Sequence, residues 1–317
     1  MMQKAKRILG LILTMVLLAA TSTVFAEGAD DAAEAVVPVT WEPSPEHPMI
    51  DTDEARALYA RIAAGDYLTM EELKANRVVA QLDALSAYYK GLYGNTAEID
   101  TPERDAMRRE VLEQFLTLGS ARKVTEADGT TYFVTDGELK REFRFELVLG
   151  LSGAGKSTTI VNPDSEEMGA FILDPDTIKE MLPEYRESHG AAADSIHFEG
   201  MAIMKEAMQA FLSGDMNGVN VILPIVATDL DELMEEYIRP FEAAGYHVNV
   251  KLCPAVVNEA MSRVIMRTLG GGQLINTTVL FSFGSQPEEV YYELAPMLNP
   301  DGVPYGDIPE EELLPAA

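Results

Sequence analysis

Residues 143–158 read Phe-Arg-Phe-Glu-Leu-Val-Leu-Gly-Leu-Ser-Gly-Ala-Gly-Lys-Ser-Thr, an apolar run that passes directly into a glycine-rich loop. Gly150, Gly155, Lys156 and Ser157 fill the fixed positions of G-x-x-x-x-G-K-[ST], and Gly153 adds a glycine inside the loop. This pattern predicts the phosphates of a nucleoside triphosphate, with Mg²⁺, as ligand. Glycines let successive backbone N–H groups turn inward around an anion, and the helix that follows adds its positive end. The expected contacts come from Gly150, Ser152, Gly153, Ala154, Gly155, Lys156, Ser157 and Thr158, with Lys156 on the β- and γ-phosphates and the Ser157 hydroxyl on Mg²⁺. At ordinary residue frequencies, chance places these four residues at this spacing in only about one chain of this length in a hundred.

A second cluster follows. Leu173-Asp174-Pro175-Asp176-Thr177-Ile178-Lys179 comes just after the apolar Phe171-Ile172-Leu173. Two carboxylates at the end of a second parallel strand face the crevice in which open α/β sheets bind ligands. One of them can take the proton of an attacking hydroxyl, as phosphoryl transfer requires. An aspartate before Thr-Ile-Lys also suits a helix N-cap, so the capping role stays open beside the chemical one.

The elements around these residues are legible. Apolar strands recur at Phe171–Leu173, Val219–Ile225 and His247–Leu252 with helical patterns between them, which predicts an α/β fold with a parallel sheet and crossover helices over 142–300. Asn276–Phe283 reads as strand by its Thr and Val content and as helix by its position. A helical region with a hairpin spans 51–141. One helix runs from Asp51 to Ala64, a second opens at Thr69-Met70-Glu71-Glu72, and a third at Thr101-Pro102-Glu103. The third carries Met107, Val111, Leu112, Phe115 and Leu118 on one face. Asp128-Gly129, between Val124 and Tyr132-Phe133-Val134, marks the hairpin. The Met201, Met204, Met208 stripe reads as core.

The first 26 residues carry the parts of a secretory signal: Lys4, Lys6 and Arg7, an apolar stretch from Ile8 to Ala20, and Val24-Phe25-Ala26. Cleavage after Ala26 leaves a secreted or bacterial cell-surface protein with no stable membrane span, followed by a disordered tether at 27–50 rich in Ala, Glu, Asp and Pro. The acidic stretch at 301–317 reads as a solvated tail. The formal net charge of −28 argues against nucleic acid as a partner. Cys253 is the only cysteine, so no intramolecular disulfide forms.

The loop, the Leu-Asp-Pro-Asp-Thr-Ile-Lys-Glu-Met-Leu-Pro-Glu-Tyr run at 173–185 and the spacing between them resemble the zeta toxin family of P-loop kinases, over about 145–300. The resemblance implies ATP and Mg²⁺, with Asp176 as catalytic base and Ser157 and Asp174 as the residues toward the metal. It implies a lid arginine at Arg267, with Arg263 one turn before it, and UDP-N-acetylglucosamine as acceptor. It also implies a helical antitoxin-like inhibitor, a part that residues 51–123 could play within the chain. Two positions depart from the family pattern. The third strand reads Val221-Ile222-Leu223-Pro224 without the glutamate that helps hold the substrate, and Gly270-Gly271-Gly272-Gln273 stands where a second lid arginine belongs. His197 and Glu199 are further candidates for touching a sugar. A kinase acting on a small molecule and an exported nucleotide-binding module that works through a partner both remain open.

Overall fold

The computed structural model describes residues 52–125, 131–135, 137–270 and 272–298. The expected signal, tether, hairpin turn and tail lie outside them. The fold is built on Phe145, Leu147, Val148 and Leu149, all fully buried in strand β3 (Arg144–Leu149). Together with β4 (Phe171–Ile172), β5 (Val221–Ile225) and β6 (His247–Leu252) it forms a parallel four-stranded sheet in the order β4-β5-β3-β6. Pairing on both edges and helices on both faces explain why β5 is continuously apolar and β3 largely so, with the buried Glu146 of β3 paired to Lys251 at 3.2 Å.

Alternation divides β3 between the two faces. Phe145, Leu147 and Leu149 join the main core, where Phe145 stacks on Phe241 with ring centroids 3.7 Å apart. Val148 faces the other way, with Ile222, Val161, Met168 and Ala170. Over the first face lie α8 (His197–Leu212), the chain from α9 (Leu230–Leu233) to α10 (Arg239–Ala243), and α13 (Gln286–Leu298). Met204 and Met208 are buried there, with Met201 at the margin.

Pro224 sits inside β5 opposite Val148. Ile222 accepts from Leu173 N, so residues 220, 222 and 224 turn their backbone groups toward β4. The next bond of this ladder would run from residue 224 N to Leu173 O, and Pro224 has no N–H to give, so the β4 pairing ends at Ile172.

The N-terminal helices follow their caps. Thr69 forms a capping box with Glu72 at the start of α2 (Met70–Ala75). The single second helix of the sequence reading is divided in two. Asn76 is extended, and its Oδ1 accepts from Val78 N and Val79 N at 2.9 and 3.2 Å to open α3 (Arg77–Tyr93). α1 (Thr52–Ala63), α2 and α3 share a core with α11 (Val257–Leu269) and α12 (Thr277–Phe283). The ambiguous 276–283 segment is therefore helix, capped by Asn276 and held at its start by Asp83, which accepts from Thr277 N and Oγ1. A Thr101 cap and Pro102 open α4 (Pro102–Leu116), whose Val111 and Phe115 enter the main core. The hairpin of β1 (Ala121–Thr125) and β2 (Thr131–Thr135) leans on α5 (Asn162–Met168), where Asn162 Nδ2 donates to Lys123 O at 2.8 Å.

A buried ion network fastens α4 to the sheet domain. Glu199 is 1% exposed, and Arg104 and Arg108 donate to both of its oxygens. Arg104 also forks onto Glu184 in α7 (Pro183–Glu187), with Nη1 at 2.6 Å. Burial pushes the Glu199 carboxyl up, but the hydrogen bonds from Arg104, Thr96 and Arg108 outweigh it and hold the group below its ordinary value. That contribution is present above the unfolded-state pKa and is lost as pH falls through the folded one. Glu199→Ala leaves two guanidinium groups short of a partner and is expected to cost about 3 kcal/mol, read as a lower urea midpoint at pH 7 and a smaller difference from wild type at pH 3.

Candidate functional site

The phosphate loop connects β3 to a π-type turn, Ser157–Val161, that runs on into α5. Its shape depends on glycine at two close approaches. At Gly150 (φ 151°) a Cβ would lie 2.5 Å from Cys253 O, and at Gly153 (φ 81°) it would lie 2.2 Å from Ala260 O. The loop is thus seated between the end of β6 and the start of α11, with backbone against backbone. Gly155 (φ 96°) completes the turn, and Thr158 N and Thr159 N both donate to its carbonyl at 3.0 Å. Cys253 lies beneath, donating from Sγ to Ala154 O at 3.4 Å.

Lys156 Nζ donates to the carbonyls of Gly150 and Leu151 at 2.6 and 3.0 Å, which holds the ammonium across the loop. Burial lowers its pKa to about 8, with the Asp176 charge opposing that fall. The hydroxyl-bearing residues Ser157 and Thr158 are exposed at the helix start, while Ser152 and Ala154 are half-buried within the loop. A cradle of positive-φ glycines, a retained ammonium and a free hydroxyl suits a nucleoside triphosphate. The described residues contain no group of three or more His, Cys, Asp or Glu able to hold a metal by themselves.

Asp174 and Asp176 follow β4 at the start of α6 (Pro175–Met181), and the two carboxylates have different environments. Asp174 is the N-cap, and its Oδ1 accepts from Asp176 N at 2.9 Å. Burial and the neighbouring Asp176 charge push its carboxyl up, to about 7. Asp176 experiences the same burial, but Lys179, Arg267 and Lys156 outweigh it and hold this carboxyl well below the usual range. Lys179 Nζ donates to Asp176 Oδ1 at 2.7 Å. A pair whose environments push its members apart has one stably ionised acid and one able to carry a proton near neutrality.

Arg267 is exposed on the last turn of α11, and its charge acts on Asp176, Lys156 and Tyr185 together. Arg263 does not lie on a free solvated face. Its guanidinium lies over the Tyr67 ring at 4.9 Å, donates to Tyr67 Oη at 3.2 Å and to Gly153 O at 3.4 Å, and pairs with Glu259 at 2.9 Å. Glu199 does not meet the expectation of a sugar contact, because it is buried and both oxygens are occupied by arginines. His197 remains near the site. Burial lowers its pKa, and the Lys179 charge adds to that fall.

Two participants were missed. Lys179 stands three residues after Asp176 on one helix, a spacing that puts two side chains on one face and that the sequence does display. Gln273, expected only as an absent charge, is 7% exposed and in contact with the pair. With its amide oriented to match these neighbours, nitrogen toward the carboxylate and oxygen toward the ammonium, Nε2 donates to Asp176 Oδ2 and Oδ1 at 3.0 and 3.1 Å and Oε1 accepts from Lys179 Nζ at 3.1 Å. No local pattern announces a contact across almost a hundred residues.

This sheet order, with a phosphate loop after the first of the parallel strands and an acid pair after the second, defines a P-loop nucleotide-binding domain of kinase type. The zeta toxin family model matches residues 144–278, somewhat less than half of the chain, and that segment is similar to zeta toxin. A solved structure from a study of the PezAT chromosomal toxin-antitoxin system of Streptococcus pneumoniae is similar at 18% sequence identity and a TM-score of 0.35. The similarity covers 47% of this chain and 56% of that one, so the chain spans little more than half the length of that relative. A comparison with curated proteins finds no match.

The lowered pKa of Lys156 makes phosphate binding pH-dependent. A bound anion favours the charged amine, so above pH 8 binding must take up a proton, and affinity falls by up to about tenfold per pH unit. Calorimetric titration of ATP between pH 7 and 10 is expected to show this decline. Lys156→Arg, which stays charged, should bind more weakly at pH 7 and with a flat pH profile.

Proposed function

We propose that the protein is an ATP-dependent kinase that transfers the γ-phosphoryl group to a hydroxyl of a small molecule, with a UDP-amino sugar such as UDP-N-acetylglucosamine as the first acceptor to test. The observation that carries this reading is the electrostatic meeting of the loop and the acid pair. The charges of Lys156 and Asp176 bear on each other and that of Arg267 bears on both, which supports a phosphate lysine and a base working in one crevice. Asp176 is anionic throughout the physiological range. It orients the acceptor hydroxyl and takes its proton late, as the acceptor oxygen bonds to phosphorus and the bond to the leaving ADP breaks. Lys156 and Arg267 offset charge on the transferring group from two sides. Ser157 and Asp174 are the residues that would hold Mg²⁺, which would neutralise charge on the β- and γ-phosphates.

Asp176→Asn is expected to retain the affinity for ATP within about threefold while phosphoryl transfer falls by roughly a thousandfold, the usual weight of a positioned base. Labelled ATP with UDP-N-acetylglucosamine and a panel of other hydroxyl acceptors measures both. An equal loss of binding and turnover would remove Asp176 from this role.

A second reading has its own support. Tyr67 holds Arg263, which itself holds the Gly153 carbonyl, and α1–α3 pack along the whole of α11. In this reading residues 51–123 act as a built-in antitoxin-like cover, and the protein is a nucleotide-binding module governed by that segment or by a partner. Export through residues 1–26 belongs to both readings and is supported by Lys4, Lys6, Arg7 and the apolar stretch after them. Among the described residues no helix is long and apolar enough to cross a membrane. Tyr67→Ala frees Arg263. The covering reading expects ATP affinity to rise several-fold, measured by titration, whereas a packing role alone lowers thermal stability and leaves affinity unchanged.

A further inference from the structure

We propose that Gln273 is a positioning residue for the base, tying the segment after α11 to Asp176 so that the carboxylate is aimed only when that segment is docked. This rests on Asp176 being the base of the proposed kinase. Three side chains from two distant parts of the chain meet, with Lys179 Nζ on Asp176 Oδ1 at 2.7 Å. The Gln273 amide is assigned the orientation that satisfies both neighbours, which closes a ring: Nε2 on both Asp176 oxygens at 3.0 and 3.1 Å, and Oε1 on Lys179 Nζ at 3.1 Å. Lys179 and Gln273 are almost completely buried, 4% and 7% exposed, whereas 37% of the Asp176 side chain is open. The ring therefore grips the carboxylate from behind and leaves it a free face for an acceptor hydroxyl. A carboxylate offers about four lone-pair sites, and these contacts occupy no more than three.

The backbone around Gln273 is seated with equal care. Leu274 N donates to Gly190 O at 3.1 Å, and the buried Thr268 Oγ1 donates to Gln273 O at 2.9 Å. Gly190, at φ 82°, approaches so closely that a Cβ would lie 2.8 Å from Gly272 O and 3.1 Å from Gln273 Cα. Gly200 makes room on the other side, since a Cβ there would lie 2.9 Å from Lys179 Cγ. A neutral amide suits this position. Lys179, Arg267 and Lys156 already supply positive charge to Asp176, with Asp174, His197 and Tyr185 as the other titratable groups acting in the cluster. An amide donates to the carboxylate and accepts from the ammonium at once, which a guanidinium cannot do.

Gln273→Glu and Gln273→Ala test this in the full chain. Gln273→Glu keeps the acceptor for Lys179 but sets a second carboxylate against Asp176 where the amide donated. In the full chain the side-chain NH₂ of Gln273 is expected to give a proton–nitrogen NMR signal shifted from those of exposed glutamines, and Asp176→Ala should return that signal to the ordinary range. Gln273→Ala should lower kcat about tenfold with the ATP Kd unchanged, and Gln273→Glu should lower it at least as far, while Gly190→Ala, which leaves side chain 273 intact, should reproduce the kcat loss. A Gln273 signal indifferent to Asp176→Ala, or an unchanged kcat in Gln273→Ala, overturns the inference. Wild-type protein that transfers phosphate to no acceptor refutes the kinase reading instead, and the NMR result still decides whether residue 273 holds Asp176.

Discussion

Backbone touches backbone at Gly150 and Gly153, and the rest of the site takes its position from those two contacts. A phosphate loop must present its N–H groups to a ligand, so its other side has to lie against something that demands no side-chain volume. Here that support is the Cys253 carbonyl at the end of β6 and the Ala260 carbonyl in α11. The contact at Ala260 also sets the position of α11, and with it Arg263 and Arg267. The sheet, the loop and the arginine helix therefore form one rigid frame.

Within that frame, electrostatics assign different roles to chemically identical groups. Asp174 and Asp176 are two residues apart, yet Asp174 is driven up by burial beside a charge while Asp176 is driven down by three cations. The difference arises from Lys179, Arg267 and Lys156, which come from three separate elements. A second buried carboxylate, Glu199, has the opposite use. Enclosed by Arg104 and Arg108, it serves attachment and is unavailable to a substrate.

The helices before the sheet are integral to the nucleotide-binding part. α4 inserts Val111 and Phe115 into the main core, and α1–α3 build a second core with α11 and α12. Through Tyr67 and Arg263 this region reaches the phosphate loop itself. A change among α1–α3 thus has a short physical route to the nucleotide site, by way of the helix that also carries Arg267.

The amino-acid sequence alone determined what is local: the loop with its obligatory glycines, the apolar strands, the Thr101-Pro102 helix start and the Asp-Pro-Asp turn. Each depends on the conformational limits of a few consecutive residues, so short windows carry the information. Tertiary structure alone decided which polar groups meet. Glu199 looked like a substrate contact until Arg104 and Arg108 arrived from α4, and Arg263 meets Tyr67 from almost two hundred residues earlier in the chain. Gln273 looked like a lost charge, yet it lies on Asp176. The physical reason is the same in each case. A buried charge takes its meaning from partners distant in the chain, and only the packing of apolar faces determines which partners come within a few ångströms.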